Sequence, residues 1–220
     1  MENNHSHFDQ QAANWDTPET IKRNEAFAQA IKKHLTGPVG KMMDFGCGTG
    51  LLASHFLSEV QEILGIETSQ GMERVFNERF KDHEQVSLLV TNLEESELAP
   101  EYGPFDLIMT GMAFHHLKNP QKMLSHFKKH LAPKGKIFII DLDEEDGSFH
   151  PDNAAMGVHH HGFSRQTLEN WAREEGFESF THELIYQIQK NERSYGLFMG
   201  VFGLQVIPDT PLLNGSFNQL

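Results

Sequence analysis

One cysteine, Cys47, in 220 residues leaves nothing for an internal disulfide to join, a usage compatible with a reducing compartment. Basic side chains are also few: 18 Lys and Arg stand against 31 Asp and Glu, a formal net charge of −13. Binding along a nucleic-acid backbone needs a basic footprint. This balance argues against nucleic acid, and against anionic membrane surfaces, as partners. No apolar run approaches the roughly 20 residues that cross a bilayer. The opening MENNHSHFDQQ has neither a basic n-region nor an apolar h-region. These absences predict a soluble, cytoplasmic chain, and a length that fits one domain. What the chain has in excess is histidine, 14 of them, which calls for an explanation.

Short apolar runs alternate with amphipathic segments. The spacing predicts helices over residues 17–35, 51–57, 70–80 and 121–131, and strands over 42–45, 62–66, 86–90, 105–110 and 136–142. Ala132-Pro133-Lys134-Gly135 reads as the stop of the fourth helix. Nearly continuous apolar strands alternating with helices imply an α/β fold, a parallel sheet covered on both faces. Residues 143–163 look like a loop rich in Gly, Pro, Asp and Asn. Ser164 then caps a helix to Glu175. Two last strands, near 180–189 and 194–203, flank a polar turn at 190–192 and form a hairpin that finishes the sheet. The organisation expected is one domain over residues 1–207. Within it, 1–36 is a helical segment covering the site and 143–163 a lid-like insert; 208–220 is a tail.

DFGCGTG at 44–50 follows the first strand. Glycines between a strand and a helix let backbone N–H groups approach a ligand closely. The spacing Gly46, Gly48, Gly50 brings the third glycine one residue too early for the dinucleotide fingerprint, and no Gly-Lys-Ser/Thr of a phosphate loop follows. Glu67 ends the next strand, where a carboxylate can accept two hydrogen bonds from ribose hydroxyls. An adenosine-like nucleoside fits. Asp44 speaks against a phosphate in that place and for a cationic group.

DFGCGTG, Glu67 with Ser69 and Met72 behind it, FDLIMT at 105–110 and LAPKGKIFI at 131–139 together resemble the ordered motifs of class I S-adenosylmethionine-dependent methyltransferases, over roughly residues 40 to 142. FHHL at 114–117, HHGFS at 160–164 and FDQQAANWD at 8–16 are similar to the branch that acts on small molecules. The resemblance implies a Rossmann-like, seven-stranded, mostly parallel sheet with a final antiparallel hairpin strand. It implies S-adenosyl-L-methionine as cofactor, S-adenosyl-L-homocysteine as product, and in-line displacement at the methyl carbon onto a small-molecule acceptor. On that resemblance Asp44 holds the methionine ammonium. Gly46, Cys47, Gly48, Thr49 and Gly50 pass under the methionine and ribose. Glu67 binds the ribose hydroxyls, and Thr68 and Met72 pack near the adenine. Asn92-Leu93 stands where the family usually has an aspartate for the adenine amine. Thr110 and Gly111 floor the sulfonium.

The sulfonium is already activated, so proximity and alignment dominate, and a general base is needed only if the acceptor must lose a proton. His115, His116 and His160 are the catalytic candidates. Phe8, Trp15, His115 and His160 are expected in the acceptor pocket. For His115 and His116 the competing reading is that one plugs the core and the other caps a helix. His34, His55, His83, His126, His130 and His182 read as surface or helix-face residues, and His5 and His7 as part of a mobile terminus. His150 and His159 to His161 lie near Asp141, Asp143 and Asp152 in sequence. Three adjacent histidines cannot all face one ion, so no metal ligand is assigned. Two other functions compete: a non-catalytic S-adenosylmethionine-binding protein, and a nicotinamide-dependent oxidoreductase. Oligomeric state is open.

Overall fold

The computed structural model describes residues 6–204; His5, the 208–220 tail and both ends of the expected 1–207 domain lie outside them. Helix α1 (Ser6–Gln11) and a 3-10 turn lead into α2 (Pro18–Lys32). Thr17 accepts from Thr20 N–H and Pro18 opens the helix, so the start follows from ordinary capping chemistry. Then come β1 (Val39–Phe45), α3 (Leu51–Ser54), β2 (Val60–Glu67), α4 (Gln70–Arg79) and β3 (Val86–Val90). They are followed by β4 (Phe105–Gly111), α5 (Pro120–Lys129), β5 (Leu131–Leu142), α6 (Arg165–Glu174), β6 (Ser179–Lys190) and β7 (Arg193–Gly203).

The strands form one seven-stranded sheet in the order β3-β2-β1-β4-β5-β7-β6. The first five run parallel, and β7 pairs antiparallel with both β5 and β6. Successive strand residues feed opposite faces. Met42, Met109 and Phe138 pack with Phe27 and Ile31 of α2, with α3, and with Phe76 of α4. Met43, Ile108 and Ile137 pack with Leu124 and Phe127 of α5 and Leu168 of α6. This is the Rossmann-like α/β architecture expected. The chain leaves β1 toward one edge and later returns to β4 on the other side. That reversal opens a crevice at the carboxyl ends of β1 and β4, where ligands bind in open α/β sheets.

Three local expectations are corrected. The helix expected over 51–57 is one turn, Leu51–Ser54; Ser54 Oγ donates to its own Leu51 carbonyl at 2.7 Å, a local bond that competes with helix continuation. The 131–135 segment belongs to β5 rather than to a helix stop. Its pairing with β4 jumps from Phe105↔Leu131 to Leu107↔Lys136, so Ala132 to Gly135 are taken up as a bulge. His126 is buried rather than on the surface; it accepts from Leu98 N–H at 3.4 Å and stacks on His130. The hairpin turn is the pair Asn191-Glu192, both at positive φ, as a tight two-residue connection requires. Among the described residues no helix is long and apolar enough to cross a membrane.

Candidate active site

All three glycines after β1 adopt left-handed backbone, with φ of 66° at Gly46, 55° at Gly48 and 76° at Gly50. A Cβ on Gly46 would stand 2.5 Å from Ala113 Cβ, and one on Gly50 would meet Phe80 at 2.4 Å. Sterics and φ together therefore demand glycine there. The turn is drawn onto β2: Gly46 N–H and Cys47 N–H both donate to the Ile66 carbonyl. Glu67 completes the link. Its Oε2 accepts from Gly48 N–H at 2.8 Å, and its Oε1 from Thr68 N–H and Ser69 N–H at 2.7 and 2.9 Å. A carboxylate oxygen has two lone pairs, so Oε2 keeps one for a further donor.

These loops wall a cavity of about 460 Å³, within the range of small-molecule sites. Of the residues singled out in the sequence, Asp44, Gly46, Cys47, Gly48, Thr49, Glu67, Thr68, Met72, Asn92, Leu93 and Gly111 line it, as do Phe8, Trp15 and His116. Asp44 is 1% exposed, and its Oδ2 has no hydrogen-bond partner among the described residues. Burial, and then the Glu67 charge, push its carboxyl well above the usual carboxylate range. A buried, unsatisfied acid is costly, and a cationic group against it supplies the missing partner. The donor set thus fits a ligand with a cation at Asp44 and hydroxyls at Glu67. The Cys47 thiol is also pushed well up by burial, Asp44 and Glu67, which keeps it an unreactive thiol.

Four singled-out residues stand elsewhere. Gly50 lies behind the loop against Phe76 and Phe80. Thr110 is fully buried and absent from the cavity lining. His115 is 1% exposed, inside the wall. Asp141 holds it there, Oδ1 at 2.7 Å from His115 Nδ1 and Oδ2 accepting His115 N–H at 3.1 Å. Burial raises the Asp141 carboxyl, but the electrostatic pull of His115 and three hydrogen bonds, from the His115 ring and from the His115 and Leu142 N–H groups, outweigh it and leave it below its ordinary value. The expectation that His160 reaches the acceptor pocket is corrected. His159 N–H and His160 N–H both donate to the His115 carbonyl, yet their side chains part. His159 faces the cavity, while His160 packs on Phe163 and borders a separate surface depression with Lys118 and Trp171.

His116 Nδ1 lies 3.1 Å from the Gly157 carbonyl, and its ring meets Phe8 edge-on at 5.4 Å. Burial, with His115 adding to it, pushes His116 down to about 3. His150, brought back by the loop after β5, lies tilted at 5.0 Å from His115 and is pushed down to about 4, again chiefly by burial. The histidines that converge are thus 115, 116 and 150 rather than the 159–161 run.

Sequence reasoning also missed Arg23 and Asn24, which line the cavity from α2. A signal exists: they precede Phe27 and Ile31 by helical spacing, putting polar groups on the buried face. Asn92 Oδ1 accepts from Glu94 N–H at 3.0 Å, a local turn of the kind this side chain favours, and Glu94 and Glu95 join the wall beside it.

A model of the methyltransferase-domain family matches residues 20–182. An uncharacterised methyltransferase of Schizosaccharomyces pombe is 36% identical over 142 residues, 59% of this chain and 50% of that one. The chain spans about half the length of the curated relatives it matches. The Haemonchus contortus phosphoethanolamine N-methyltransferase 2 in complex with S-adenosyl-L-methionine shares the fold, with a TM-score of 0.66 at 18% identity over 82% of this chain and 52% of that one. So does an S-adenosylmethionine-dependent methyltransferase from Aquifex aeolicus, with a TM-score of 0.62 at 16% identity over 87% of this chain and 97% of that one. With the family model spanning the glycine turn and Glu67, the chain belongs to the class I S-adenosylmethionine-dependent methyltransferases.

Proposed function

We propose that this chain moves the methyl group of S-adenosylmethionine onto a small-molecule acceptor, in the cytoplasm, with the cofactor held by the glycine turn. The observation that carries the reading is the pairing, in one cavity, of the unsatisfied Asp44 carboxyl with Glu67 across the turn. The cofactor supplies a methyl on a positively charged sulfur, ready for displacement. Asp44 would take the ammonium and Glu67 the ribose hydroxyls. Gly46, Cys47, Gly48 and Thr49 would follow the ligand between them, with Thr68, Met72, Asn92 and Leu93 around the adenine and Gly111 as the floor. Thr110 and Gly50 would act by packing from behind.

At the other end Phe8, Trp15, His116, Met156 and His159 enclose the space left for the acceptor. Aromatic walls exclude water and hold the acceptor in line, the part of catalysis that alignment provides. A His116 held neutral by burial would border the acceptor without bringing a charge to it. The acidic surface and a cavity of about 460 Å³ favour a small acceptor over a polymer.

Calorimetric titration with S-adenosylmethionine, S-adenosylhomocysteine and NAD tests the cofactor assignment. Saturable binding of the first two and not of NAD is expected. Absence of binding would overturn the roles of Asp44 and Glu67. Transfer of a labelled methyl to members of a small-molecule panel then tests turnover; binding without transfer across a broad panel would favour a binding protein over an enzyme.

A further inference from the structure

His115 and His116 come from the turn after β4 and His150 from the loop after β5, yet each offers a ring nitrogen within 4.8 Å of the other two. Their ring centroids lie 4.1 Å (His115–His116), 5.0 Å (His115–His150) and 5.9 Å (His116–His150) apart. Two tautomers are fixed by partners. The Asp141 carboxylate accepts from His115 Nδ1 at 2.7 Å, and the Gly157 carbonyl accepts from His116 Nδ1 at 3.1 Å. Each of these rings therefore carries a proton on Nδ1, and its neutral form has its lone pair on Nε2. His115 Nε2 and His150 Nδ1 are both buried, with no hydrogen-bond partner among the described residues. Buried polar atoms are ordinarily paired. Lone pairs gathered without a donor leave an unmet demand for an electron-pair acceptor.

We propose that His115, His116 and His150 bind one divalent transition ion of the zinc class, with Asp141 as the outer carboxylate that orients His115. Imidazole suits zinc and its borderline neighbours, whereas magnesium and calcium take oxygen ligands. The Asp141–His115 pair has the form in which metal-binding histidines are commonly held, the far ring nitrogen donating to a carboxylate. Tetrahedral zinc with Zn–N near 2.0–2.1 Å sets neighbouring nitrogens roughly 3.3 Å apart, so modest side-chain rotation closes the 4.8 Å spread. His116 alone of the three lines the cavity. The ion would therefore sit in the wall at the aromatic end, and three protein ligands leave a fourth position open. The site stands on the cluster and its partners, independently of the methyl-transfer reading.

The test is cobalt(II) titration of the full, untagged chain after chelator treatment. It is followed by visible absorption, with bound metal per chain measured by elemental analysis. One cobalt per chain, a tetrahedral-type spectrum and displacement by zinc are expected. His150→Ala and His116→Ala should each weaken uptake by more than a hundredfold. Asp141→Asn should weaken it about 10–100-fold, as for other outer partners. A double change, His159→Ala with His161→Ala, should leave uptake intact. Substoichiometric uptake, or uptake that survives both His150→Ala and His116→Ala, would overturn the site and mark adventitious binding to other histidines. His150 does not line the cavity, so S-adenosylhomocysteine titration of His150→Ala reports its folding. The same titration of the unaltered chain judges the methyltransferase reading separately.

Discussion

Asp44 and Glu67 face one cavity with opposite needs: the Oδ2 of one carboxyl lacks a hydrogen-bond partner among the described residues, the other carboxyl is held by three backbone N–H groups. Burial and Glu67 hold the Asp44 carboxyl well above its ordinary value. A cationic ammonium arriving there favours the carboxylate and so expels a proton. Affinity for S-adenosylmethionine should therefore rise with pH through that raised value and level off above it. Below pH 7, where the ligand's amine stays charged, calorimetry in buffers of different ionisation enthalpy should detect proton release on binding. Asp44→Asn should abolish the release; an unchanged proton count in that variant would remove Asp44 from the binding step. Glu67→Ala should weaken the cofactor by about 1–3 kcal/mol, the range for hydrogen bonds to a charged group, and equal affinities would refute the ribose role. Both residues were legible in the sequence because each stands at the carboxyl end of an apolar strand. His150 and Asp141 were not, since their chemistry depends on a loop path that no periodicity encodes. The choice of His160 over His159 failed by one residue, in a loop whose path decides which side chain faces inward.

At the scale of elements, two aspartates clasp the N-terminal segment over the cofactor loops. Asp9 accepts from Ser69 Oγ and Gly71 N–H at 2.6 and 2.8 Å, at the start of α4, where a helix N-terminus favours an anion. Asp16 accepts from Thr49 Oγ1 at 2.7 Å and pairs with Arg79, whose Nε also donates to the Thr49 carbonyl. The segment so held carries Phe8 and Trp15, which pack edge-on at 5.7 Å. Asp16→Ala should therefore act on closure more than on the fold. We expect about 1 kcal/mol or less of lost stability, as for a partly exposed ion pair, and a several-fold faster release of S-adenosylhomocysteine. Stopped-flow tryptophan fluorescence checks this, because Trp15 lines the cavity and Trp171, the second tryptophan, does not. A release rate equal to that of the unaltered chain would show that the clasp does not gate the site. Sequence periodicity located every strand and the helices from α2 to α6, but it overextended α3 and closed α5 on residues that belong to β5. The first miss goes with a local hydrogen bond, Ser54 to Leu51, and the second with the Leu131 pairing to Phe105, which only the folded sheet reveals.

For the whole molecule, the alternation of strands and helices dictated a parallel sheet, but not its order. The placing of β1 between β2 and β4 follows from right-handed crossovers and from which helix faces are apolar. The order matters because it puts Asp44, Glu67 and Gly111, the ends of three strands, around a single crevice. A ligand that bridges those ends ties the two halves of the sheet together and binds only the folded chain. Its effect on unfolding is then set by mass action. S-adenosylhomocysteine at one hundred times its dissociation constant should add about 2.7 kcal/mol. For a chain of this length each kcal/mol raises the midpoint by about 2–4 °C, so thermal unfolding should move up by about 5–11 °C. The same concentration of S-adenosylhomocysteine should shift Glu67→Ala far less, and NAD should shift neither protein. A rise with NAD equal to that with S-adenosylhomocysteine would mean that the crevice reads only the adenosine shared by both ligands. Selectivity for the methionine-bearing ligand points instead to Asp44, whose Oδ2 no other described group satisfies.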